Sequence, residues 1–385
     1  MGSSFALPVV GVVGGGQLAR MTHQAAIALA VDLRFLTERE EDPAPAVARW
    51  SELGSPLSHD DLGRFAESVD LVTFDHEVVD LDALEALERL GVRMFPRPDT
   101  LRLVADKAGM RSHLAGHGFP VPPWRAVVDE AGLDAALADL DGPVVVKRSH
   151  GGYDGRGVFT VSGPDEARRV AGPLLSGGDT LVVEPFLELE AELAVLVARR
   201  PDGVAVTYEP VTTVQVDGMC REVLAPALVP DPVRREASRL GNAIADAVDA
   251  VGILAVELFW TGGRLLVNEL AARPHNTGHH TIEAAVTSQF ENHLRAVLDL
   301  PLGDPSPVSP SAMVNVVGGP VEADPRARLG EGLGADAGAH VHLYGKTWRP
   351  GRKLGHVTVC DADPERALER ARRVVVGLGG GEVTA

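Results

Sequence analysis

Two hydrophobic periods alternate along this chain, and the switches between them predict an α/β protein. Over residues 8 to 95, short β-branched runs at 9–13, 33–36, 70–74 and 92–95 predict strands, and the stretches between them, beginning with 17–30, carry helical patterns. Strands alternating with helices imply a doubly wound unit on a parallel sheet. Pro96-Arg97-Pro98 punctuates its end, and a helical pattern over 100–117 leads into a second region. There, 124–128, 144–147, 157–161, 181–184, 192–198 and 204–208 predict strands, and 134–140 predicts a helix. A longer helical pattern over 233–251 precedes a hairpin whose arms, 254–260 and 265–269, flank Gly262-Gly263. Prolines cluster between 301 and 310, and strands at 312–316, 340–344 and 355–359 close the chain. The expected organisation is an N-terminal α/β unit at 1–98, a central α+β unit at 99–305 with a lobe at about 124–185, and a small C-terminal unit at 306–385.

At 385 residues the chain is long enough for two or three domains with cores of their own. A formal net charge of −18 argues against nonspecific binding to nucleic acid or an anionic membrane. It leaves room for a nucleotide, which needs only a local cluster of cations and metal. The two cysteines, Cys220 and Cys360, are far apart and form no metal-type or redox pair, which fits a reducing cytoplasm. Neither a membrane span nor a signal peptide is expected.

Chemistry concentrates where the run Val144-Val145-Val146-Lys147 meets four glycines within residues 151–157. Glycines let backbone N–H groups approach a phosphate, and a strand-end lysine adds a point charge. The spacing is not that of a Walker loop, so the stretch predicts a glycine lid over phosphates; an ordinary hairpin turn accounts for the same residues. On the later hairpin, Glu257 and Glu269 stand within apolar strands, where isolated acids are costly. A three-residue turn would set them opposite each other, and a two-residue turn would offset them by one. Mg²⁺ suits such a pair, with the Asn268 amide adjacent; solvated rim carboxylates are the alternative. The following loop, Arg273-Pro274-His275-Asn276-Thr277-Gly278-His279-His280, suits a small oxyanion better than zinc, for which it lacks both helical spacing and thiolates. A basic turn, Lys346 to Lys353, inverts the local charge and predicts phosphate recognition or a solvated hairpin.

Near the N-terminus, Gly14-Gly15-Gly16-Gln17-Leu18-Ala19 follows a strand and opens a helix, matching G-x-G-x-x-[GA]. A nicotinamide or flavin dinucleotide, the phosphate of a small substrate, and a tight turn with no ligand all remain open there.

Taken together, the lid, the strand-end lysine, the paired carboxylates and the Arg-His-Asn loop resemble the ATP-grasp superfamily. Gly14 to Met21, Val146-Lys147 with Gly151 to Gly157, Asn268 to Ala271 with Arg273 to His279, Thr287 to Glu291, and Pro350 to His356 resemble, in order, the N5-carboxyaminoimidazole ribonucleotide synthetase family. The resemblance runs from about residue 8 to 375 and implies ATP-dependent carboxylation of aminoimidazole ribonucleotide in purine synthesis. Formate-dependent glycinamide ribonucleotide transformylase is the neighbouring alternative.

The fold so implied is an ATP-grasp fold with an N-terminal preATP-grasp domain, central grasp lobes and a small C-terminal β-rich domain. The implied cofactors are ATP and Mg²⁺, with Mn²⁺ as a substitute, and bicarbonate is a co-substrate. A homodimer passing its product to a separate mutase is also implied. Carried over by position, Lys107 and Lys147 contact ATP phosphates beneath a closing loop of Gly152, Tyr153, Asp154, Gly155, Arg156, Gly157 and Val158. Glu184, Pro185, Phe186 and Leu187 form the adenine hinge, Glu192 holds the ribose and Gln215 is a further ATP contact. Glu257, Asn268 and Glu269 hold metal. Arg273, His275 and Asn276, with Lys147 and Asp154, carry the chemistry. Gly15, Gly16, Gln17, Leu18, Asp75, Glu77, Tyr153, Arg273, Lys346, Arg352 and Lys353 receive the ribonucleotide. The chain departs from the family at Asp75-His76-Glu77-Val78 and at Ala272, and 209–218 is one residue shorter.

Overall fold

A computed structural model describes residues 7–140, 142–151 and 157–381. Its N-terminal sheet is parallel, ordered Ser51–Leu53, Leu33–Thr37, Val10–Val13, Leu71–Phe74, with helices Gln17–Leu29 and His59–Glu67 between strands and Leu81–Arg89 after the last one. The expected strand at 92–95 reduces to one bridge, Met94 beside Val72. Pro96 follows at once and has no N–H to extend a ladder.

The helix expected over 100–117 is two helices, Pro98–Ala105 and Lys107–Gly116. Asp106 separates them in extended conformation (φ −109°, ψ 103°), and its carboxylate accepts from Ala108 N at 3.1 Å. Aspartate favours this capping position because its oxygen satisfies an amide the helix cannot. The break makes Lys107 the first residue of the second helix. Ser149 fixes that start, since Lys107 N donates to its carbonyl at 2.9 Å and Ala108 N to its hydroxyl at 2.9 Å.

A small antiparallel sheet follows, ordered Arg125–Val127, Leu181–Pro185, Val144–Arg148, Val158–Val161, and is covered by helices Glu130–Asp139 and Pro164–Ser176. The main sheet has nine strands. Arg264–Ala271 forms its edge, followed by Gly252–Thr261, Ala191–Arg199, Val211–Val216, Met219–Ala225, Ser311–Val317, Lys353–Cys360 and Ala339–Leu343, while Ala205–Thr207 pairs with Ala191–Arg199. The strands after the proline cluster therefore extend the sheet of the middle region, through Ser311–Val317 beside Met219–Ala225.

Helix Gln289–Val297 joins the N-terminal and main sheets. Leu294 and Val297 pack with Val10, Ala19 and Phe35. Its His293 ring meets Thr73 Oγ1 at 2.9 Å on one side and accepts from Ile253 N at 3.3 Å on the other. Burial pushes the His293 imidazole down to about 4 from an ordinary 6.5, so at neutral pH the pin is uncharged. Among the described residues no helix is long and apolar enough to cross a membrane.

That depressed value sets an acid-side cost. Below pH 6.5 the unfolded chain takes up a proton that folded His293 refuses, so stability is lost progressively down to about pH 4. Urea unfolding of the parent should weaken from pH 7 to 5, and His293→Gln should flatten that slope by up to about 1.4 kcal/mol per pH unit. An unchanged slope would remove His293 as its source.

Candidate active site

The edge hairpin brings the two carboxylates face to face by an unexpected route. Its turn has two residues, Gly262-Gly263 (φ +55° and +69°), so Thr261 pairs with Arg264. A regular ladder from that turn would place Glu257 opposite Asn268. Instead the register shifts between Glu257 and Leu258: Leu258 pairs with Val267, but Glu257 pairs with Glu269. Asn268 is the extra residue, a β-bulge of the kind that re-aims side chains. Its amide nitrogen donates to Glu257 Oε2 at 3.4 Å and its oxygen accepts from Lys147 Nζ at 3.2 Å.

Lys107, delivered by the helix break, pairs with Glu269. Lys147 Nζ lies 2.6 Å from Glu184 Oε2 and 5.8 Å from the Phe259 ring centre. Burial drives the Lys147 ammonium below its usual range, against the attraction of Glu184. Burial pulls Glu184 the opposite way, but the charges of Lys147 and Arg111 outweigh it and hold the carboxyl low. Glu257 is pushed up to about 7, first by burial and then by the Glu269 and Glu192 carboxylates. Glu192 is likewise raised by burial, with Lys147 opposing. A buried acid facing two others and partly refusing ionisation is a site short of positive charge.

The next loop crosses toward the N-terminal unit. Arg273 Nε donates to Glu77 Oε2 at 2.8 Å, and that attraction keeps the guanidinium charged against burial. His275 is held by Gln289, which accepts from His275 N at 2.8 Å and donates to its carbonyl at 2.7 Å. The His275 ring meets Thr277 Oγ1 at 2.9 Å and lies 3.7 Å from Glu257 Oε1. Burial, with the charges of Arg273 and Lys353, pushes its imidazole down to about 3, so it serves as a neutral ring. Asn276 is buried, and among the described residues neither polar atom of its amide has a partner. Such a group calls for something bound.

Beside this lies a second cluster. The Asp75 carboxylate accepts from Gly16 N at 2.5 Å and Ala19 N at 3.1 Å, capping the first helix from the neighbouring strand. Gly15 and Gly16 are required here, since a Cβ would collide with Thr37 Oγ1 at one and Asp75 Oδ2 at the other. The carboxylate sits on amides that a dinucleotide pyrophosphate would need, so the nicotinamide reading fails. Gln17 Oε1 accepts from Lys346 Nζ at 2.5 Å, next to buried Leu18. Arg352 donates to Thr347 O at 3.1 Å; burial and the nearby Arg349 and Arg39 charges lower its guanidinium, as expected where cations gather for an anion. Lys353 is buried, close enough to His275 to depress it.

Glu184 and Pro185 end a strand, and Phe186 beyond them is half exposed with its N–H on Pro143 O at 2.9 Å. Leu187 follows on the same connection. Gly157 (φ +78°) closes onto Arg148, with Val158 starting the next strand. Gln215 lies at a register shift on Val211–Val216. Gly152, Tyr153, Asp154, Gly155 and Arg156 fall outside the described residues. Among the described residues no three His, Cys, Asp or Glu side chains form a ready metal cage. The donor set, two facing carboxylates and an amide, instead fits a Mg²⁺ that takes its remaining ligands from phosphates and water.

Sequence reasoning missed Arg111 and Ser149. Arg111 stands four residues after Lys107, a helical same-face spacing that was the available signal. It also missed the hairpin Val211–Val216 with Met219–Ala225, although Asp217-Gly218 is a turn dipeptide and both residues have positive φ (52° and 72°).

The chain matches three family models: the ribonucleotide synthetase preATP-grasp domain over residues 7–105, the ATP-grasp domain over 82–290, and the phosphoribosylaminoimidazole carboxylase C-terminal domain over 311–370. It is 46% identical to N5-carboxyaminoimidazole ribonucleotide synthase of Mycobacterium tuberculosis, over 99% of this chain and 90% of that protein. With the enzyme of Synechococcus elongatus it shares 41% identity over 91% of this chain and 89% of the relative. The fold is similar to the crystal structure of the Thermus thermophilus synthetase, with a TM-score of 0.86, 36% identity, and coverage of 98% of this chain and 99% of that one. It is also similar to the Aspergillus clavatus synthase solved with ADP and 5-aminoimidazole ribonucleotide, with a TM-score of 0.87, 31% identity, and coverage of 97% and 99%.

The charge imbalance at Glu257 predicts a stability effect of the ligand-free chain. Its carboxyl is raised to about 7 from an ordinary 4.5, so ionisation costs stability increasingly across that interval. Glu257→Gln should therefore raise the thermal midpoint most above pH 7, with the gain shrinking toward pH 4.5. A midpoint lowered at pH 8 would contradict the stated electrostatics.

Proposed function

This chain belongs to the N5-carboxyaminoimidazole ribonucleotide synthase family, and on that premise we propose that it uses ATP and bicarbonate to carboxylate 5-aminoimidazole ribonucleotide, releasing ADP and phosphate. It is an ATP-dependent ligase of purine biosynthesis. The observation that carries the residue-level reading is the Asn268 bulge, which sets Glu257 against Glu269 beside Lys107 and Lys147.

Glu257, Glu269 and the Asn268 oxygen would hold Mg²⁺, with Mn²⁺ as a substitute. That ion supplies Lewis-acid neutralisation of phosphate charge. Lys147 and Lys107 bind the phosphates and orient the terminal phosphoryl group for in-line attack by a bicarbonate oxygen. The products of that first step are ADP and carboxyphosphate. Arg273, kept charged by Glu77, and the Asn276 amide hold the small oxyanion; neutral His275 orients it without adding charge. Carboxyphosphate hydrolyses readily, so the reaction has to exclude water; that role belongs, in this reading, to the glycine stretch 151–157 with Tyr153 and Asp154, of which 152–156 lie outside the described residues. The exocyclic amine of the ribonucleotide then takes the activated carbon, its nitrogen loses a proton, and phosphate departs.

Adenine rests on the connection from Glu184 through Leu187, ribose near Glu192, and Gln215 completes the nucleotide contacts. Lys346, Arg352 and Lys353 bind the ribonucleotide phosphate beside the Gly15-Gly16-Gln17 turn and Leu18, with Asp75 and Glu77 toward the imidazole. We assign the enzyme to the cytoplasm as a homodimer that hands an unstable carbamate to a separate mutase. The three-part division at residues 98/99 and 305/306 belongs to the same reading.

ADP release from ATP and Mg²⁺ should be strongly stimulated by aminoimidazole ribonucleotide, and only with bicarbonate present. Stimulation by glycinamide ribonucleotide with formate instead would overturn the substrate. Glu269→Ala should abolish turnover, and near-parent activity at saturating Mg²⁺ would remove it from the metal site. Arg352→Ala should raise the KM for the ribonucleotide while leaving that for ATP almost unchanged; an equal rise in both would exclude the phosphate role.

A further inference from the structure

Arg111 is one of the largest fully buried side chains, and none of the chemistry above uses it. It lies on the helix Lys107–Gly116, one turn after Lys107 and on the same face. Like charges at that spacing destabilise a helix unless each finds an anion. Lys107 finds Glu269, and Arg111 Nε finds Glu184 Oε1 at 2.7 Å. Glu184 gives its other oxygen to Lys147, at 2.6 Å, so one buried carboxylate is shared by two cations. The second arm of the guanidinium, Nη1, donates to Val267 O at 2.5 Å.

That carbonyl occupies a particular place. Arg264–Ala271 is the edge strand of the main sheet, and Val267 is the last regularly paired residue before the Asn268 bulge. On this free edge Val267 N donates to Pro120 O at 2.8 Å and its carbonyl accepts from Arg111. The edge is thus tied down immediately before the two residues, Asn268 and Glu269, that face the cleft. One side chain fixes both the acid that holds Lys147 and the strand that presents Glu269. A fixed fork of donors suits that double task better than an ammonium.

We propose that Arg111 is the positioning residue for phosphoryl transfer in this enzyme. Its charge leaves Arg111, Lys147 and Glu184 with one net positive charge in a dry setting, which an ATP phosphate neutralises. Without it, Glu184 and Lys147 cancel each other, and the lysine is drawn toward the carboxylate. Its second donor holds the Asn268–Glu269 segment in line with Lys147. The inference rests on the assignment of Lys147 to the ATP phosphates.

The test is steady-state kinetics of Arg111→Gln and Arg111→Lys, normalised to folded protein by circular dichroism. Arg111→Gln removes the charge and should raise the KM for ATP by about tenfold or more, with the KM for the ribonucleotide within about twofold of the parent. Arg111→Lys keeps the charge but cannot reach both Glu184 and Val267 O; it should keep the ATP KM within about threefold while lowering kcat. A merely structural arginine would change the folded fraction and leave the two KM values unseparated, and that result overturns the proposal. If Arg111→Gln does not fold, Arg111→Lys decides alone, and a parent-like kcat rejects the positioning role. Lys147→Met run alongside separates the two failures. An active Lys147→Met removes the assignment on which the inference rests, whereas an inactive one beside a parent-like Arg111→Gln removes the inference alone.

Discussion

Two carboxylates on neighbouring strands can share one ion only if they face each other, and a single inserted residue decides that they do. With a two-residue turn, Glu257 would oppose Asn268; the bulge moves the register by one and sets Glu269 there instead. The displaced Asn268 is not lost, for its amide bridges Glu257 and Lys147. Side chains alternate faces with a period of two, so a one-residue slip is the largest change a strand can make to its chemistry. The bulge sits on an edge strand, which has a ladder on one side only.

The second constraint is charge in a dry place. Glu184 is nearly inaccessible, yet stays ionised because Lys147 and Arg111 flank it. At Glu257 burial and the Glu269 and Glu192 charges outweigh the pull of Lys107, and its carboxyl rises to about 7. Removing one partner of a buried pair costs more than the pair is worth, so these groups are fixed as a set. The helix break at Asp106 serves the set by starting a new helix at Lys107, whose next turn supplies Arg111. Ser149 anchors that start to the strand that carries Lys147.

Much of this was legible in the chain. The N-terminal alternation of strands and helices, the strand Val144–Arg148 that carries Lys147 and the glycine hairpin follow from local pattern, because each is fixed by neighbours in sequence. The register of the hairpin was open, because turn length and bulge compensate and only the assembled sheet chooses between combinations. Arg111 was silent for another reason: a lone arginine on an amphipathic helix ordinarily points to water, and its partners lie 73 and 156 residues away. The run at 92–95 had strand composition but lacked room, since Pro96 ends its ladder after one bridge. Asp75 shows the converse, an acid expected at the substrate that caps a helix from the end of the neighbouring strand.

The account depends on where the cation binds. Crystals grown with Mn²⁺ and ADP would report it directly through an anomalous difference map. A peak within coordination distance of both Glu257 and Glu269, with the Asn268 oxygen beside it, is the predicted result. A peak that touches neither carboxylate would contradict the role given to the bulge and, with it, the proposed alignment of phosphates, lysines and metal.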